Sequence, residues 1–181
     1  MNDLLKGLNL YLVGMMGAGK TTLGRLLAKD LGYGFVDSDD VITKAAGKNI
    51  SQIFAEDGED AFRQLESDVL GQIAAFTRLT IATGGGIILK RENWSYLRQG
   101  LVVWLDVPVA ELERRLREDT TRPLLQDTGL EEKLVSLMET RYPLYSQSDL
   151  KITIQAGETP ADIAQRIIRD IPSVLKNPDN N

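Results

Sequence analysis

Between Gly14 and Thr21 the chain reads Gly-Met-Met-Gly-Ala-Gly-Lys-Thr, the spacing G-x-x-x-x-G-K-[ST]. Polyphosphate oxygens must meet several backbone N–H groups at once, and a side chain at Gly14, Gly17 or Gly19 would block that approach or forbid the turn. In the stretch Gly17, Ala18, Gly19, Lys20, Thr21 and Thr22, the ammonium of Lys20 suits the β/γ phosphates. The Thr21 hydroxyl is a hard oxygen ligand suited to Mg²⁺. The motif predicts a bound nucleoside triphosphate such as ATP and leaves the acceptor of any phosphoryl group to be read elsewhere.

Three other clusters could serve that acceptor. Asp37-Ser38-Asp39-Asp40 offers carboxylates that could hold Mg²⁺ through water or take the proton of a hydroxyl; an Asp-rich helix start can equally be an N-cap. In Gly58-Glu59-Asp60-Ala61-Phe62-Arg63-Gln64-Leu65-Glu66, Arg63 is either part of a surface ion-pair stripe or a guanidinium aimed at a substrate carboxylate and held by Glu66. Thr83-Gly84-Gly85-Gly86 predicts a backbone-lined turn. With no Cys and no His, disulfides, thiolate nucleophiles, imidazole bases and Cys/His zinc sites are excluded.

These residues must be positioned by alternating β-rich and helical segments. Strands are expected near Leu8 to Val13, at Phe35 and Val36, over Leu79 to Ala82, Leu101 to Leu105 and Lys151 to Ile154. Helices are expected over Lys20 to Leu31, Ser38 to Ala46, Ser51 to Asp57, Gly58 to Phe76, from Pro108 to Glu118, from Leu130 to near Pro143, and from Pro160 onward. In the long helix Phe62, Leu65, Val69, Ile73 and Phe76 form one buried face. The pattern predicts a three-layer α/β fold with a five-stranded parallel sheet flanked by helices and a ligand crevice at the carboxyl ends of the strands. One domain over 1–175 is expected, with Asp119 to Thr128 as a surface loop and 176–181 as a disordered tail.

The 181 residues carry 21 Lys+Arg against 26 Asp+Glu, a net charge of −5, and 43% hydrophobic residues. A sizeable core is expected, and the mild acidity argues against non-specific nucleic-acid binding. No apolar run approaches the length of a membrane span, and Met1 to Gly7 lacks the pattern of a secretory signal. A cytoplasmic protein with no nucleic-acid or membrane partner is expected.

Taken in register, the loop at Gly14 to Thr22, Asp37-Ser38-Asp39, Gly58-Glu59-x-x-Phe62-Arg63-x-x-Glu66, Thr83-Gly84-Gly85-Gly86, Arg122-Pro123-Leu124-Leu125 and Arg141-Tyr142-Pro143-Leu144-Tyr145 resemble the shikimate kinase family from about Leu8 to Ile171. The resemblance implies a P-loop NTPase fold of the nucleoside monophosphate kinase type. It also implies transfer of the ATP γ-phosphoryl group to the 3-hydroxyl of shikimate, within chorismate and aromatic amino acid biosynthesis. By that resemblance Arg63 and Arg141 would grip the substrate carboxylate and Asp39 would meet ring hydroxyls as the candidate base. Gly84, Gly85 and Gly86 would line the substrate, Gly85 most directly. Thr21 and Asp37 would serve Mg²⁺, and Asp106, which ends an apolar strand in the manner of a generic Walker B carboxylate, would not.

A lid over about 113–127 is implied as well, with Arg122 closing on the phosphates and Arg115 stacking on adenine. Gly157, Glu158, Thr159 and Pro160 would edge the base, and a monomer is expected. The competing readings are another small-molecule P-loop kinase, such as a gluconate kinase, and a catalytically silent nucleotide-binding module. Paired Arg63 and Arg141 with Asp39 favour a carboxylate-bearing alcohol over the first. Retention of Lys20, Asp37, Asp39 and Arg122 disfavours the second.

Overall fold

The computed structural model describes residues 3–118 and 129–175. Five strands, β1 (Leu10–Val13), β2 (Gly34–Asp37), β3 (Leu79–Ala82), β4 (Leu101–Asp106) and β5 (Leu150–Thr153), form one sheet in the order β2-β3-β1-β4-β5. Every pairing is parallel. Both faces of a parallel sheet need cover, which explains why all of β1 and the first five residues of β4 are buried while the edge strands β2 and β5 are not.

The cover comes from eight helices among the described residues: α1 (Lys20–Leu31), α2 (Ser38–Ala46), α3 (Ile50–Asp57), α4 (Glu59–Ala74), α5 (Arg91–Leu97), α6 (Val109–Glu118), α7 (Leu130–Tyr145) and α8 (Pro160–Asp170), the last running into a 3₁₀ turn over Ile171–Ser173. No helix among the described residues is long and apolar enough to cross a membrane. Helix α1 lies close on β2 because Gly24 has no side chain; a Cβ there would stand 2.6 Å from a ring carbon of Phe35. Helices α3 and α8 each begin with a reciprocal capping box, Asn49 with Gln52 and Thr159 with Asp162.

Several elements differ from the sequence expectation. Leu8 is exposed and β1 starts two residues later. Helix α4 ends at Ala74, so Phe76 leaves the periodic face and is 66% exposed. Helix α5 was not anticipated, because two turns are too short to show a period; its Asn93, Trp94 and Leu97 are nonetheless buried. Helix α7 passes through Pro143, which was expected to end it, and reaches Tyr145. Proline removes one backbone donor, but the helix still closes, with the Ser146 N–H donating to the Tyr142 carbonyl at 2.9 Å. Tyr145 is fully buried, stacked on Trp104 with ring centroids 5.5 Å apart, and this packing offsets the lost bond.

The order of the strands decides which loops meet. Those following β1, β2 and β3 lie side by side at one edge of the sheet, where a doubly wound fold binds its ligands.

Candidate active site

After Val13 the chain turns at Gly14, φ 153°, where a Cβ would stand 2.8 Å from the Leu105 carbonyl oxygen. The loop ends at Gly19, which caps α1 in the left-handed region and contributes no side-chain hydrogen bond. The first N–H groups of α1 and the positive end of its dipole therefore face the loop, the arrangement that receives an anion. Lys20 is buried and folds over the loop, its Nζ donating to the carbonyls of Gly14 at 2.6 Å and Met15 at 2.9 Å. Arg115, from α6, donates to the Gly17 carbonyl at 3.1 Å and to Glu111 at 2.9 Å. Hydrogen bonds from Arg114 and Arg115 hold the Glu111 carboxyl down at about 2.

On the other side of the loop the Thr21 hydroxyl donates to Asp37 Oδ2 at 2.7 Å. The second oxygen of Asp37 accepts the Asp39 backbone N–H at 2.9 Å, so Asp37 is also the N-cap of α2. Asp37 thus caps α2 with one oxygen and faces Thr21 with the other. Thr21 and Asp37 are hard oxygen donors, and this donor set fits Mg²⁺, which takes one or two protein oxygens and completes its shell with phosphate and water. Among the described residues no group of three or more His, Cys, Asp or Glu clusters as a metal cage. Asp106 faces Lys151, 3.4 Å away, and its strand is separated from β2 by β3 and β1, about 14 Å across the sheet.

The acceptor side is organised around the turn after β3. Thr83 pins it, donating through its hydroxyl to the Leu12 carbonyl at 2.7 Å. Each of the three glycines that follow faces a different charged group. A Cβ on Gly84 would stand 3.0 Å from Glu66 Oε2 and 3.1 Å from Asp39 Oδ1. One on Gly85 would stand 3.4 Å from Arg141 Nη1 and 3.5 Å from the Met16 amide nitrogen. One on Gly86 would fall 2.6 Å from Arg63 Cζ. Close approach excludes a Cβ at Gly86 unless Arg63 moves and leaves little room at Gly84, whereas at Gly85 a Cβ would make ordinary contact; none of the three has a left-handed φ.

Arg63 is 15% exposed, and its Nη1 donates to Glu66 Oε1 at 3.0 Å while Nε lies 3.7 Å from Glu59. It is therefore not a solvated stripe residue but a guanidinium braced from a buried carboxylate. Glu66 is 1% exposed, with Oε2 bearing no hydrogen bond among the described residues. Burial pushes its carboxyl above the usual carboxylate range, against the pull of Arg63. The sequence pointed to Glu66 as a brace, and its place four residues after Phe62 and three before Val69 puts it on the buried face of α4.

The structure thus gathers Gly17, Ala18, Gly19, Lys20, Thr21, Thr22, Asp37, Asp39, Arg63, Gly84, Gly85, Gly86, Arg115 and Arg141 around one sheet edge. Arg122 and most of the expected lid lie outside the described residues, as does the tail from 176. Glu158 and Thr159, expected near the base, are engaged in local bonds: Glu158 with Arg166 at 2.9 Å and Thr159 in the α8 cap.

A phosphate loop opening onto a pocket of paired guanidinium groups and a carboxylate, on a parallel sheet of this order, defines a P-loop kinase acting on a small molecule. The shikimate kinase family model matches residues 16–172. The shikimate kinase of Nostoc punctiforme is 69% identical over 176 residues, 97% of each chain. Among solved structures, the shikimate kinase from Acinetobacter baumannii in complex with shikimate superposes with a TM-score of 0.85 at 42% identity, covering 94% of this chain and 96% of that one. The chain belongs to the shikimate kinase family, and it is an ATP-dependent kinase, a transferase. A gluconokinase from Sinorhizobium meliloti, TM-score 0.59 at 15% identity over 91% of each chain, shares the fold alone.

Proposed function

We propose that the chain transfers the γ-phosphoryl group of ATP to the 3-hydroxyl of shikimate, with Arg63 and Arg141 holding the substrate carboxylate and Asp39 facing the reacting hydroxyl. The observation that carries this reading is the glycine turn, where Arg141 and the Met16 amide both border Gly85, 3.4 and 3.5 Å from where a Cβ would stand. A carboxylate-bearing alcohol seated against that turn meets both guanidinium groups at one end and the phosphate loop at the other.

In the step itself the hydroxyl oxygen forms a bond to γ-phosphorus as the bond to the β–γ bridging oxygen breaks. The hydroxyl proton passes to the Asp39 carboxylate and ADP leaves. Lys20, released from the Gly14 and Met15 carbonyls, follows charge onto the β/γ oxygens, and the α1 N-terminus supports them. The Thr21 hydroxyl and, through water, Asp37 would hold Mg²⁺, which would supply positive charge against the phosphates. Arg115 at the Gly17 carbonyl would stack on adenine, and Arg122 would add a cation on the lid spanning 113–127. The protein acts as a single-domain cytoplasmic monomer with shikimate and ATP as its partners and no nucleic-acid or membrane partner.

A coupled ADP-release assay with Mg²⁺ and ATP tests the acceptor, using shikimate, gluconate and AMP in parallel. Release with shikimate alone is expected; equal release with gluconate, or none with any acceptor, would overturn the reading.

A further inference from the structure

Tyr145 takes no part in the chemistry above, yet it joins the two halves of the acceptor pocket. Its hydroxyl donates to the Gly85 carbonyl at 2.7 Å, and its ring lies flat on Trp104, 18° from parallel. It follows Arg141 by four residues on α7, so both side chains project from one face of the helix. The Arg141 guanidinium stands beside the same phenol. Arg141 Nη1 in turn borders Gly85, 3.4 Å from where a Cβ would be.

In a trans peptide the N–H of one residue points opposite to the carbonyl of the residue before it, and no described peptide is cis. Drawing the Gly85 carbonyl toward Tyr145 therefore turns the Gly86 N–H the other way. A run of three glycines has little intrinsic preference between this peptide orientation and its flipped alternative. Something outside the turn has to choose.

We propose that Tyr145 is a positioning residue for the acceptor: its hydroxyl fixes the orientation of the Gly85–Gly86 peptide and the separation of that turn from Arg141. The proposal rests on the assignment of Arg141 and the glycine turn to the shikimate carboxylate. Pro143 fits the same account, because continuing α7 through a proline is worthwhile only if the final turn has a fixed station to reach.

Tyr145→Phe keeps the ring, its stacking and nearly its volume, and deletes one donor. Expected is a rise in the shikimate KM of about five- to tenfold, the factor that one hydrogen bond carries, with the ATP KM unchanged and kcat within about twofold. Tyr142→Phe removes a hydroxyl of the same kind from the same helix, one that accepts from Lys151 at 3.0 Å and does not touch the turn, and should leave both KM values unchanged. An unaltered shikimate KM in Tyr145→Phe overturns the proposal, as does an equal rise in both KM values. Arg141→Lys is measured alongside. If it raises the shikimate KM while Tyr145→Phe does not, only the positioning role falls; if neither variant does, the carboxylate assignment falls with it.

Discussion

Adding a single methyl group at Gly86 is the sharpest test of how the acceptor pocket is built. The new carbon in Gly86→Ala would sit 2.6 Å from Arg63 Cζ and closer still to Nη1, well inside the contact distance of about 3.5 Å, so the guanidinium has to retreat by at least ~1 Å. Because the obstacle is the far end of a flexible side chain and Gly86 is not left-handed, the backbone need not distort. The fold therefore loses little, about 1 kcal/mol. The site loses more. Arg63 gives up its 3.0 Å bond to Glu66, and a misplacement of about 1 Å in a positioning group can lower turnover efficiency by about 100-fold. Steady-state ADP release, with shikimate varied at saturating ATP and then the reverse, should show kcat/KM for shikimate reduced by about 10- to 100-fold and the ATP KM held. Circular dichroism and the thermal midpoint establish that the variant is folded. A folded Gly86→Ala enzyme with unchanged shikimate kinetics would refute the claim that Arg63, as placed here, grips the substrate.

Asp39→Asn should reduce kcat by at least about 100-fold while ATP affinity changes little, as the carboxylate faces the acceptor side; isothermal titration with ATP and the coupled assay separate the two. Glu66→Gln should alter the pH dependence of stability. Burial raises the native Glu66 value above its ordinary 4.5, so the folded state holds the proton more tightly and its stabilising effect is complete below that value, then lost as pH rises through the raised one. The thermal midpoint of the Gln variant should accordingly gain on the wild type as pH is raised across that window; parallel curves would contradict it. Asp37→Asn retains a capping oxygen but not the charge, so the thermal midpoint should hold while the Mg²⁺ concentration giving half-maximal rate rises several-fold; an unchanged Mg²⁺ requirement would remove Asp37 from the metal site.

The phosphate loop was readable from the sequence because its chemistry is local: eight consecutive residues supply the glycines, the ammonium and the hydroxyl, and β1 and α1 flank them directly. The parallel sheet was readable for a similar reason, since apolar strands alternate with amphipathic helices along the chain. Arg63, Asp39 and Arg141 could be singled out as residue types in a family pattern. Their partners could not.

Tertiary structure alone decided that three adjacent glycines each face a different charged group, because those groups arrive from α2, α4 and α7, far apart in sequence. It decided that Glu66, a carboxylate on the buried face of α4, meets Arg63 and Gly84 there, and that Phe76, in apparent register with that face, lies past the end of the helix. It also carried α7 through Pro143 to Tyr145. Local propensity weighs a proline against one lost backbone bond, whereas the ring of Tyr145 on Trp104 and its hydroxyl on Gly85 are long-range gains that exist only once β3, β4 and α7 have come together.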